Sequence, residues 1–301
     1  MSDRGILSSL RYLLADFIGE DDDTPPLLPE GLPEPVMAVA SDAIHLLIDY
    51  QGTGYAQLYV DRLRRFVGKK GVDDAMLTEI ARLMAARMSY DDLIRIAQLK
   101  LSGLADRSRT QPRSVDVRKF RLDELVSVLP AVIAEYVLDA LEWAGWTHRN
   151  IKLRFSTASW FGILRLKMGA GLRRWRRYSV RYAKERVWVE RWLHMIDRSL
   201  TRQPAAASEI VQTAAMIRGY GDVYRQGMAD WNAIIDGLAK PTFDGVLALP
   251  DLADAVAQAR AAALPDPRQS ALKRKIAEIR ARVIASSYAG IGSAETGART
   301  R

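Results

Sequence analysis

The run Gly169-Ala170-Gly171-Leu172-Arg173-Arg174-Trp175-Arg176-Arg177-Tyr178 holds the residue types in this chain best suited to gripping a ligand. A glycine-containing turn that opens a helix presents free backbone N–H groups, arginines supply bidentate donors for phosphate, and a tryptophan offers a ring for stacking. That chemistry suits a phosphorylated small molecule, with Arg173, Arg174, Arg176 and Arg177 as its contacts. The same run also suits a nucleic-acid contact, an interfacial membrane helix, or a plain amphipathic helix whose aromatics pack inward while its arginines meet water or an acidic protein surface.

Elsewhere the reactive residue types are scattered. His45, His148 and His194 are isolated, and no His-x-x-x-His or His-Glu-x-x-His puts two metal ligands on one helical face. Gly52-Thr53-Gly54 lacks the third glycine and the preceding apolar strand of a dinucleotide fingerprint, so it reads as a bend between helices. Asp73-Asp74 and Asp91-Asp92 fall at expected helix N-termini, where carboxylates favour the positive end of the helix dipole. No Walker-type Gly-Lys-Ser/Thr and no Gly-x-Ser-x-Gly elbow occurs. The chain has no cysteine, which excludes disulfides, thiolate nucleophiles and cysteine-ligated iron–sulfur clusters within it and fits a reducing cytoplasm. Nothing in these residues makes the chain catalytic alone.

Charge narrows the partner. The net charge of +8 hides an asymmetry, because 149–202 carries fifteen Lys/Arg against Glu185, Glu190 and Asp197, and the remainder is mildly acidic. A basic block in such a chain points to a localised anionic partner. The N-terminal segment lacks a secretory pattern, since Arg4, Arg11 and Asp16 interrupt its apolar residues. The most apolar long window, 126–146, contains Glu135, Asp139 and Glu142 and Pro130, so it reads as a buried helix and not a membrane span. A cytoplasmic location follows as the expectation.

The elements that must position these residues are helical. Tyr55, Leu58, Tyr59, Leu63 and Phe66 recur at helical spacing, then Leu77, Ile80, Ala81, Met84 and Met88, then Leu93, Ile96, Ala97, Leu101 and Leu104, which predicts three short amphipathic helices over 49–103. Ser89 with Asp92 predicts a capping box between the second and third, and Ser41 a cap for a helix through Ile48. Residues 1–18 read as a separate helical arm, 19–36 as an acidic, proline-rich linker, 37–287 as an all-α, bundle-like helical domain, and 288–301 as a disordered tail. Residues 106–119 read as an exposed loop. Ile151-Lys152-Leu153-Arg154-Phe155 alternates like a strand but shows no partner, and one long helix is expected from Gly171 to about Leu200.

Three blocks carry a resemblance. Asp49-Tyr50-Gln51, then Tyr55-Ala56-Gln57-Leu58-Tyr59-Val60-Asp61-Arg62-Leu63, then Met88-Ser89-Tyr90-Asp91-Asp92-Leu93-Ile94-Arg95-Ile96-Ala97-Gln98-Leu99-Lys100 resemble the C-terminal helical region of the indolepyruvate ferredoxin oxidoreductase beta subunit family. Gly171-Leu172-Arg173-Arg174-Trp175-Arg176-Arg177 with Arg181-Tyr182 is similar to that family's arginine-rich helix, and Arg218-Gly219-Tyr220-Gly221-Asp222 to its Gly-Tyr-Gly turn. The resemblance spans roughly 43–238. It implies a non-catalytic subunit or detached domain of a complex that oxidatively decarboxylates an aryl 2-oxo acid to an acyl-coenzyme A and passes electrons to ferredoxin. Thiamine diphosphate, magnesium and the iron–sulfur clusters would reside on partner subunits. Here the helical arm would dock on such a partner, and Arg173, Arg174, Arg176 and Arg177 would meet coenzyme A phosphates or an acidic surface. The family's α/β domain of the gamma type has no counterpart in the residues preceding the resemblance. The alternative is a basic helical module that binds nucleic acid.

Overall fold

The structure is a computed structural model that describes residues 25–105, 115–157, 159–263 and 265–298. The expected N-terminal arm, 1–18, and the acidic start of the linker lie outside the described residues. Among those described the chain is mostly helical, with one two-stranded sheet, and no helix is long and apolar enough to cross a membrane.

Helix α1 (Glu34–Tyr50) begins on prolines: Pro33 precedes it and Pro35 stands in its first turn, where a missing N–H breaks no helical bond. The expected linker therefore ends sooner than 36, and Ser41 lies inside the helix instead of capping it. Gly52 then turns the chain with φ of 127°, a conformation open to glycine, into α2 (Thr53–Arg64). Helix α3 (Asp74–Met88) is capped by the Asp73 carboxylate, which accepts from the Met76 N–H at 2.7 Å. At α4 (Leu93–Ala105) the cap is Asp92, accepting from the Arg95 N–H at 2.6 Å, whereas the Ser89 hydroxyl donates back to the Ala85 carbonyl. The three expected stripes face inward: Tyr55, Tyr59, Leu63 and Phe66, then Leu77, Ile80, Ala81, Met84 and Met88, then Ile96 and Ala97 are buried.

The orphan strand has its partner in the stretch expected to be a loop. Strand β1 (Val115–Arg121) pairs antiparallel with β2 (Asn150–Ser156), Lys119 opposite Lys152. One pleat face carries Phe120 and Phe155, whose rings meet edge to face at 6.3 Å. Between the strands run α5 (Leu122–Val126) and α6 (Ala131–Trp143).

The long helix expected from Gly171 is broken. Helix α7 (Trp160–Gly171), begun by the Ser159 hydroxyl accepting from Gly162 N–H, ends where that helix was to open. Residues Leu172–Tyr178 form a 3-10 turn, Ser179 is extended, and α8 (Val180–Arg202) starts afresh. Helices α9 (Ala207–Gln212), α10 (Gly221–Ile234), α11 (Lys240–Phe243), α12 (Leu252–Ala261) and α13 (Ser270–Ala298) complete the chain. The backbone of α13 runs on to Ala298, within the stretch expected as a tail.

The chain divides into two compact units, Met1–Val67 with Met84–Val189, and Gly68–Leu83 with Glu190–Arg301. In the second unit Trp192 and Trp231 are fully buried, their indole N–H groups donating to the Ile210 carbonyl at 3.2 Å and the Thr213 hydroxyl at 3.0 Å. Leu252, Val256, Leu238 and Leu272 are buried there too, with Phe243 and Asp230. The first unit is different, because its interior also buries Arg62, Arg87, Asp92, Arg95, Arg176 and Glu185.

Candidate functional site

The charged interior of the first unit is built around Arg176, whose side chain is wholly buried. Helix α7 lies close to its neighbours because its inner side is pared to glycine. A Cβ on Gly162 would stand 2.3 Å from the Ser156 carbonyl oxygen, and one on Gly169 would stand 3.3 Å from the Ala97 Cβ. The 3-10 turn that follows delivers Arg176 inward. Its Nε and Nη2 donate to the two oxygens of Asp92 at 2.6 and 3.0 Å, Nη2 reaches Gln98 Oε1 at 3.3 Å, and Nη1 donates to the Tyr50 carbonyl. The guanidinium also stacks 3.7 Å above the Tyr50 ring. A bidentate carboxylate fork combined with a ring face uses the planarity that distinguishes arginine from lysine.

Asp92 thus both caps α4 and neutralises Arg176. Around this pair, Arg95 bonds Asp49 at 2.7 Å and Gln98 donates to the Asp49 carbonyl at 2.9 Å. The Tyr50 hydroxyl donates to the Tyr90 carbonyl and the Tyr55 hydroxyl to the Met88 carbonyl, each at 3.0 Å. A second buried group adjoins the first through Tyr90. Glu185 accepts from Arg87 at 2.5 Å and pairs with Arg181 at 2.9 Å, Arg87 lies over the Trp188 ring, and Arg181 lies over Tyr90.

Burial pushes the Tyr50, Tyr55, Tyr59 and Tyr90 hydroxyls above their ordinary range, and the Asp92 charge adds to this for Tyr50 and Tyr90. For Arg176 burial works against the cation, but Tyr50 and Asp92 hold its pKa above the usual arginine value. These tyrosines therefore stay protonated and Arg176 stays charged at neutral pH. They can donate hydrogen bonds and fix charge.

Cavities lie beside the network. A small one of about 170 Å³ is lined by Gln51, Gly52, Gly54, Tyr55, Arg177 and Tyr182. A larger one of about 480 Å³ lies between α7 and β2, with Leu93, Leu153, Phe155 and Phe161 in its wall and Arg154 and Arg165 beside them. Among the described residues no group of three His, Asp or Glu side chains could hold a metal ion.

The four arginines singled out from the sequence do not converge. Arg176 is turned inward onto Asp92, Arg177 lines the small cavity and lies over the Tyr178 ring, Arg173 is partly exposed, and Arg174 is described in its backbone only. Nor does Gly169-Ala170-Gly171 present helical N–H groups to an anion, since it ends a helix. The pairing of Arg176 with Asp92 crosses 84 positions of sequence and had no local signal. The strand partner did have one, the alternation Val115, Val117, Lys119 against Asp116, Arg118, Phe120.

No curated protein and no solved structure matches this chain. Residues 36–237 match a family of unknown function, DUF6537, and this span takes in Tyr50, Tyr90, Asp92, Arg176 and Glu185 together. The chain belongs to the DUF6537 family.

Proposed function

We propose that this chain is a non-catalytic helical component of a thiamine-dependent 2-oxo acid:ferredoxin oxidoreductase complex, acting in its assembly. The observation that supports this most is a convergence. Tyr50, Tyr90, Asp92, Gln98 and Arg176, drawn from the separate blocks that resemble the indolepyruvate ferredoxin oxidoreductase beta subunit family, meet in one buried network. Blocks whose side chains meet in space behave as one architectural signature.

In this reading coenzyme A, whose phosphates would seek cations, meets Arg173 and Arg177, while Arg176 holds the turn that carries them. The thiamine diphosphate, magnesium and iron–sulfur clusters belong to partner subunits, and the compartment is the cytoplasm. Native purification of the tagged chain from its own host, followed by mass spectrometry and an iron assay, tests the proposal. Thiamine-dependent and iron-containing subunits are expected to accompany it. Recovery of the chain alone, or retention on DNA that fades steeply with added salt, would instead favour the nucleic-acid reading. That second reading draws on Lys119, Lys152 and Arg154, which share the exposed face of the hairpin and have no ion pair among the described residues.

A further inference from the structure

Helix α7 has two unequal sides. Its inner side is Gly162, Leu166 and Gly169, packed down as described. Its outer side carries Trp160, Leu164 and Met168, continued by Leu172, at a spacing of four, with Phe161 beside them. Residues four apart lie one above the other on a helix, so these form a continuous apolar ridge. Trp160 is 69% exposed, Phe161 72% and Met168 67%. The rings of Trp160 and Phe161 meet edge to face at 5.0 Å. Phe161, beside the ridge, also lines the 480 Å³ cavity, whose wall includes Leu93, Leu153 and Phe155 together with Gly162, Leu166 and Gly169 of the inner side.

The rim of this face is basic. Arg154 on β2 and Arg165 on α7 line the cavity, Lys167 stands on α7, none of the three has an ion pair among the described residues, and 149–177 contains no Asp or Glu. Elsewhere in the same unit several arginines are paired with carboxylates, Arg176 with Asp92, Arg95 with Asp49, Arg121 with Asp123 and Arg87 with Glu185. Aromatic, methionine and aliphatic anchors beside a groove, rimmed by these cations, have the composition of a protein recognition surface.

We infer that this face docks an acidic amphipathic helix of a partner protein. Apolar side chains of that helix, spaced i, i+3 or i+4, and i+7, enter the groove against Phe155 and Phe161, while its carboxylates meet Arg154, Arg165 and Lys167. Charge complementarity and shape select this occupant. A nucleic acid satisfies the cations but leaves the Leu164, Met168 and Leu172 ridge in water. A lipid surface covers the ridge but does not follow a concave wall down to Leu153 and Phe155. The inference rests on the reading above that the chain works within a protein complex.

The test uses the full chain and a fluorescent amphipathic helical peptide of leucine and glutamate, with a twin carrying lysine in place of glutamate. Anisotropy is expected to show the acidic peptide bound at least about ten-fold tighter than the basic twin. Met168→Glu and the pair Arg154→Glu with Arg165→Glu should each weaken binding by about ten-fold or more, the scale of removing a central anchor. Val223→Glu, at an exposed position on α10, should leave binding unchanged, and all variants should melt with the parent. Equal affinity for both peptides, indifference to Met168→Glu, or stronger binding to phosphatidylglycerol vesicles or duplex DNA than to the acidic peptide overturns the inference. If oxidoreductase subunits accompany the chain yet the acidic peptide fails to bind, the docking inference alone falls. If the peptide binds and no such subunits are found, the complex reading falls and the surface stands.

Discussion

Replacing Arg176 by methionine tests whether the charged interior holds the first unit together. The substitution keeps a long, flexible side chain in the space but leaves the Asp92 carboxylate, itself 5% exposed, without its bidentate partner. Removing one side of a buried ion pair costs about 3–5 kcal/mol, because the remaining charge stays desolvated. The lost cation over the Tyr50 ring adds up to about 2 kcal/mol, and the apolar contacts of methionine offset part of that. At about 2–4 °C per kcal/mol for a unit of this size, Arg176→Met should melt roughly 6–15 °C below the parent. Adding Asp92→Asn discriminates the cause. Asparagine still accepts from the Arg95 N–H as a helix cap but carries no charge, so the double variant should regain at least about 1 kcal/mol over Arg176→Met. Urea unfolding followed by circular dichroism and tryptophan fluorescence measures both. A loss under about 0.5 kcal/mol for Arg176→Met, or a double variant no more stable than the single, would refute the reasoning.

Other outcomes follow from the same geometry. Tyr50, Tyr55, Tyr59 and Tyr90 have folded-state pKa values above the ordinary 10.0, so their contribution is fully present below pH 10 and is lost as pH rises above it, where the unfolded chain gives up protons that the folded chain keeps. The tyrosine contribution should be flat from neutrality to about pH 9, begin to fall toward pH 10, and above it approach a loss of about 1.4 kcal/mol per pH unit for each of these tyrosines; phenolate absorbance should rise together with unfolding, and a gradual rise in the still-folded protein would contradict the burial. Two glycine substitutions should have opposite signs in a thermal melt. Gly54→Ala, in α2 with nothing within 4 Å of its Cβ, should stabilise by about 0.5–1 kcal/mol, whereas Gly162→Ala, driven against the Ser156 carbonyl, should destabilise by about 1–3 kcal/mol.

The helices around the network were legible because their apolar residues recur with the helical period. Tyr55, Tyr59, Leu63, Ile80 and Met84 are buried as that period requires. What the sequence concealed was set by partners far away. The alternation at 115–120 is faint because only Phe120 of its inner face is apolar, and without β2 in view its polar residues resemble a loop. The break at Leu172–Tyr178 was hidden for a related reason. The apolar and basic pattern runs on smoothly from Leu172 into α8, and only the demand of Asp92 and the Tyr50 carbonyl for a buried cation diverts Arg176 from that line. The arginine cluster was conspicuous in sequence because carboxylates are missing nearby, yet the missing carboxylate for Arg176 is supplied by the turn before α4.

A buried ion pair is weak evidence of stability for its own sake, since apolar residues of similar volume can do as well. The use best supported here is positional. Arg176 ties together three turns that packing alone holds loosely: Tyr50 to Gly52 after α1, Tyr90 to Asp92 before α4, and Leu172–Tyr178 after α7. Apolar contacts are nondirectional and would tolerate a slip of any one turn, whereas a fork of two N–H bonds, a third bond to a carbonyl and a ring face fixes the distance and the angle of each. Gln51, Gly52 and Arg177, which line the small cavity, stand on two of the turns so fixed. Their placement is therefore a consequence of a side chain that never reaches the cavity, and any contact made by Arg177 depends on the geometry of its buried neighbour.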